Sequence, residues 1–110
     1  AKASGLSAEL YQSAIPFYDS ARLRELYGQF CLPNLTTTNY RAVQAESNPM
    51  DGFAMALLCD PQTSGGLLLF VGPEDADAAV AILKNEGLEH ACIGKMANFD
   101  ADQPRLKIVS

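Results

Sequence analysis

Leu57-Leu-Cys-Asp-Pro-Gln-Thr-Ser-Gly-Gly-Leu-Leu-Leu-Phe-Val71 is the stretch on which the fold turns. A dense turn signal, Asp60 to Gly66, lies here between two apolar runs. Pro61 fixes its own φ and removes a donor, so the preceding element must end at Asp60. Five large apolar residues, Leu67 to Val71, then follow without alternation. That is the pattern of a short strand covered on both faces, and it predicts the centre of a sheet. Gly72-Pro73 ends it. Before the turn, Phe53 to Cys59 is uniformly apolar and fits a buried helix or a strand; its Ala, Met and Leu content favours helix.

The clearest helix follows Pro73. Glu74, Asp75 and Asp77 suit its positive end, Lys84 lies near the other end, and Ala76, Ala79, Val80 and Leu83 make an apolar stripe. Gly87 supplies the residue beyond its C-terminus. Two short strands are expected around Glu89 to Lys95 and Arg105 to Val109, joined by a hairpin-like loop through Asn98, Asp100, Asp102 and Pro104. Towards the other end, Leu6 to Ala14 reads as a strand that bends at Ile15-Pro16. Asp19-Ser20 caps a short helix over about Ser20 to Tyr27, with Gly28 as its stop. Pro33 to Pro49, rich in Thr and Asn, is expected to be a long irregular connection with at most one helical turn. The order strand, helix, helix, strand, helix, strand, strand indicates an α+β fold, a layered α/β sandwich with helices packed on a mixed sheet.

Composition narrows the function. The 110 residues are 48% hydrophobic, enough for one domain over 1–110 and too apolar for a disordered tail. A formal charge of −5 with scattered Lys and Arg argues against nucleic-acid binding. No apolar run approaches the ~18–20 residues of a bilayer span, so no membrane role is expected. Cys31, Cys59 and Cys92 lack paired spacing and read as reduced thiols in a cytoplasmic protein, packed as small hydrophobes. His90 and Cys92 cannot make a metal site by themselves. The chain starts without Met, which points to a piece of a longer protein.

The candidate functional residues are those of the turn: Asp60, Gln62, Thr63, Ser64, Gly65 and Gly66. Thr63 and Ser64 offer hydroxyls, and successive N–H groups there could line an anion-binding concavity. Two glycines allow a positive φ or a close approach by another backbone or a ligand. The alternative is that they only allow tight packing where a strand enters the core. No Lys follows them and a strand comes next, so this is not a Walker A loop. Thr36, Thr37, Thr38 and Asn39 form a second polar cluster, read as loop, that either touches a ligand or is simply solvated. No Ser/His/Asp arrangement, HExxH motif or carboxylate pair is present, so no residue is assigned a catalytic or metal-ligating role.

Asp60-Pro-Gln-Thr-Ser-Gly-Gly-Leu-Leu68 resembles the motif in the C-terminal domain of the selenophosphate synthetases, within the aminoimidazole ribonucleotide synthetase-like superfamily. The Ala3-Ser-Gly-Leu-Ser opening, the Ile15-Pro16 bend, the loop with Cys31 and Asn39, and Ile93-Gly94 agree in order. The resemblance implies a two-domain enzyme that turns ATP, selenide and water into selenophosphate, AMP and phosphate with Mg²⁺. It further implies a homodimer whose nucleotide site is built largely by the N-terminal domains. The family's glycine-rich segment, reactive Cys or selenocysteine and metal-binding aspartates have no counterpart here, and none of the three cysteines matches the reactive one. The implied object is the C-terminal domain, inactive and free of cofactors alone, whose partner is its own N-terminal ATP-binding domain. Its Asp60 to Gly66 turn would lie near the phosphate or selenium end of the cleft or at the domain junction. The equivalent domain of thiamine-monophosphate kinase, AIR synthetase or a hydrogenase-maturation protein, and a free-standing binding module, are the alternatives.

Overall fold

In the computed structural model, residues 1–63 and 65–109 are described. The chain divides into two compact units, residues 1–61 with 93–110, and residues 62–92.

The first unit holds a three-stranded mixed sheet and three helices. β1 (Leu6–Tyr11) is the central strand, with β2 (Gly94–Asn98) antiparallel on one side and β3 (Leu106–Val109) parallel on the other. A 3₁₀ turn, Gln12–Ala14, ends β1 ahead of Ile15-Pro16, where the sequence placed the bend. The pairing sets Ala8 beside Leu106 and Leu10 beside Ile108, so one face of the sheet is apolar. On the other face Glu9 is opposite Lys95, and the two side chains form an ion pair at 3.5 Å. β2 and β3 flank β1 and do not pair with each other, so residues 99–105 cross β1 and do not make the hairpin that the sequence suggested. The crossing is possible because β1 lies between them, a pairing partner almost a hundred residues away that local turn residues do not reveal. Only Gly94 and Lys95 of the strand expected over Glu89 to Lys95 belong to β2, which runs on to Asn98.

The helices are α1 (Ser20–Gly28), α2 (Thr36–Val43) and α3 (Gly52–Leu58). Asp19 caps α1 by accepting from the Arg22 N–H at 2.8 Å, and Asp51 caps α3 by accepting from Ala54 N–H at 2.7 Å. Gly28 is the last helical residue of α1 and not the residue beyond its end. The Cys31 N–H reaches back to the Leu26 carbonyl at 2.9 Å, and Phe30, with φ 56°, is the left-handed residue. α3 packs against both α1 and α2. The Tyr27 and Phe53 rings pack with centroids 5.6 Å apart, tilted by 58°, and the Arg24 guanidinium lies 4.1 Å over the Phe53 ring. Gly52 is required there, because a Cβ would run into the Tyr27 hydroxyl. The buried residues Ala54, Ala56 and Cys59 all come from α3 and its C-terminal cap, so the helix chosen for 53–59 centres the core.

α2 replaces the irregular connection expected between Pro33 and Pro49. Its Thr and Asn content is poor for a helix, but Thr36 is fully buried and Asn39 is tied to the end of α3, so packing overrides propensity.

The second unit contains a 3₁₀ turn, Pro73–Asp75, and α4 (Ala76–Asn85), ended by Gly87 at φ 67°. Pro73, Glu74, Asp75 and Asp77 stand at its start and Lys84 near its end, as the sequence indicated. Leu67 to Val71 is corrected: it is in no strand, and these residues are 50–92% exposed. An apolar run sets strand propensity, but pairing depends on a partner edge that local residues do not specify. Among the described residues no helix is long and apolar enough to cross a membrane.

Candidate functional site

The helix α3 delivers the motif. Its last residues, Leu58 and the cap Cys59, lead directly into Asp60-Pro61, and the missing N–H and fixed φ of Pro61 bar further helix. Asn39 of α2 holds this exit in place by donating its Nδ2 to the Cys59 carbonyl at 3.0 Å. Cys59 itself is buried, and desolvation pushes its thiol pKa up, so it is a packing residue and not a nucleophile. Cys31 and Cys92, expected to pack similarly, are exposed instead. Both lie in irregular segments.

Beside this exit the first unit has a cleft of about 430 Å³. Leu10, Leu106 and Ile108 form its floor on the apolar face of the sheet; Val43 and Leu58 wall it from α2 and α3. Asn39 and Asp60 are its polar lining. Thus the sheet register, the α2 spacing Asn39–Ala42–Val43 and the end of α3 together bring Asp60 to the cleft. The sequence reading named Asp60 and Asn39 separately but missed that they meet. The signal was present as the i, i+3, i+4 spacing of Asn39, Ala42 and Val43, masked by the Thr-rich start.

The remaining motif residues belong to the second unit. Gln62, Thr63, Gly65 and Gly66 are exposed, while Ser64 lies outside the described residues. Gly66 has open space where a Cβ would stand, and at Gly65 a Cβ would reach only the Gln62 Oε1, at 3.3 Å. Neither has the positive φ that would demand glycine. Gly65 and Gly66 are thus exposed and not tightly packed. Among the described residues no three His, Cys, Asp or Glu side chains converge on a metal site.

The AIR synthase related protein C-terminal domain model matches residues 1–105. The chain belongs to that family. Within it, the chain is 36% identical over 96 residues to "Selenide, water dikinase" of Pseudomonas putida, covering 87% of this chain and 27% of that protein. It is 37% identical over 107 residues to the protein of that name in Yersinia pseudotuberculosis, covering 96% and 30%. The Pseudomonas aeruginosa protein of that name is 38% identical over 97 residues, covering 87% and 27%. The chain therefore spans less than a third of the length of these curated relatives. The mixed α+β architecture is that of this C-terminal domain family, as the resemblance in the motif implied.

Proposed function

We propose that residues 1–110 form the C-terminal domain of a selenide, water dikinase, which makes selenophosphate from selenide, ATP and water and releases AMP and phosphate. The observation that carries this reading is the run of relatives bearing that name across most of the chain at 35–38% identity, within a family match over residues 1–105. In this reading an N-terminal ATP-binding domain is the partner, and the whole enzyme is a cytoplasmic homodimer using Mg²⁺ and ATP.

Phosphoryl transfer rests on metal-bridged phosphates and positioned cations. Mg²⁺ in such sites is held by one or two carboxylates together with the substrate phosphates, and in this reading the N-terminal domain supplies those carboxylates. The contribution of this chain is then to present a wall. The exposed Thr63, Gly65 and Gly66 follow shortly after Asp60 in the sequence, and Asp60 lines the cleft of the first unit.

Two measurements test this. In the full-length enzyme, the Thr63→Ala/Ser64→Ala double variant should lower selenide-dependent ATP consumption while leaving the thermal midpoint unchanged; unaltered rates with intact folding would remove the contact role. The isolated 110-residue chain should show no ATP binding by calorimetry with Mg²⁺ present, and tight binding would overturn the division of labour.

A further inference from the structure

The exit of α3 lacks one of the backbone bonds that commonly lock a helix end. In that ending the N–H two residues beyond the cap bonds back into the last turn. Beyond the cap Cys59, that residue is Pro61, which has no N–H. Carbonyl groups at a helix C-terminus also have no partners within the helix. Here a side chain from another element takes the last of them: Asn39 of α2 donates its Nδ2 to the Cys59 carbonyl at 3.0 Å.

Two further observations tie this bond to the site. The carbonyl that Asn39 holds belongs to the peptide unit joining Cys59 to Asp60. A peptide unit is planar, so holding that carbonyl fixes the plane from which the Asp60 Cα departs. Asn39 and Asp60 also line the same cleft, whose other walls are largely apolar. Asn39 is itself exposed, so replacing it opens no cavity in the core, and its effect on stability should be small.

We propose that Asn39 is a positioning residue for the dikinase reaction. Through the Cys59 carbonyl it holds Asp60 at the cleft, and it touches no substrate itself. This role rests on the dikinase reading above.

The test is a double-mutant cycle in the full-length enzyme, reading selenide-dependent ATP consumption and the thermal midpoint. Asn39→Leu keeps the size of the side chain, favours helix more than Asn does and removes the donor. It should lower kcat about threefold to tenfold, the span expected for one lost hydrogen bond, with the KM for ATP and the midpoint unchanged. Asp60→Asn should also lower kcat. The two changes together should be no slower than Asp60→Asn alone, because Asn39 acts through Asp60. Asn39→Gln, which retains the amide, should recover most of the lost rate. If the leucine variant unfolds, Asn39→Ala takes its place in the cycle. Effects that multiply, or Asn39→Leu at the parental kcat beside a slow Asp60→Asn, overturn the positioning role and leave the dikinase reading standing. Asp60→Asn at the parental rate removes Asp60 from the reaction and overturns the role as well. A full-length parent whose ATP consumption does not respond to selenide refutes the dikinase reading itself, and the role falls with it.

Discussion

Glu46 shows how single residues fasten this chain. Its carboxylate pairs with Lys2 and with Arg105 Nε at 3.2 Å, and its carbonyl accepts from the Leu106 N–H at 2.8 Å. Arg105 in turn donates Nη1 to the Leu6 carbonyl at 2.9 Å and stacks 4.0 Å over Phe99. The hydrogen bond from Lys2, with further help from the Lys2 and Arg105 charges, holds the Glu46 carboxyl below its ordinary value of 4.5. A depressed carboxyl pKa stabilises the fold above the unfolded value, and that contribution is lost as pH falls through the folded one. Glu46→Gln should therefore flatten the fall in urea midpoint below pH 4.5, and an unchanged slope would show that the cluster contributes nothing. Gly94 acts by having no side chain, since a Cβ there would strike the Glu9 carbonyl oxygen. Gly94→Ala should cost about 1–3 kcal/mol in urea unfolding by forcing β1 and β2 apart. The same change at Gly66, where a Cβ meets open space, should stay within about 0.5 kcal/mol of the parent.

Among the elements, β3 is the least self-sufficient. It spans four residues, and its free edge is closed by the connection after α2. Asn48 does this with both ends of its amide, accepting from the Ile108 N–H at 2.6 Å and donating to the Ile108 carbonyl at 3.0 Å. Asn48→Ala leaves two half-buried backbone groups without protein partners, and should cost about 1–3 kcal/mol. Faster hydrogen exchange at the Ile108 amide is the accompanying readout; unchanged protection there would mean that water replaces the side chain without penalty. For α2, Asn39 and the buried Thr36 do what its sequence does not do by propensity.

At the scale of the whole molecule, stability is unevenly distributed. All the buried residues among those described, Thr36, Ala54, Ala56 and Cys59, belong to the first unit. The second unit has one helix longer than a turn, and its Leu67 to Val71, Ile82 and Leu88 are exposed. Segments with few buried apolar contacts open at low free energy. Amides of α4 should accordingly exchange faster than those of β1 in the 110-residue chain, and equal protection in both would refute this uneven ledger.

What the sequence determined by itself was mostly local. Asp19 as a cap, Pro73 with its acidic neighbours opening a helix, Gly87 closing it, and Ala, Met and Leu favouring helix in Phe53 to Cys59 are choices settled within a few residues, by hydrogen bonds and dipoles of short reach. The Asp60 to Gly66 motif was equally legible, because its meaning lies in residue identity. Tertiary structure decided the rest. Whether β2 and β3 meet each other or flank β1, whether the threonines of 36–38 coil or wind, and whether five apolar residues find a strand to pair with all depend on partners distant in the chain. Such pairing is set by which backbone edges and apolar faces remain available once the core has formed, and no window of neighbouring residues contains that information.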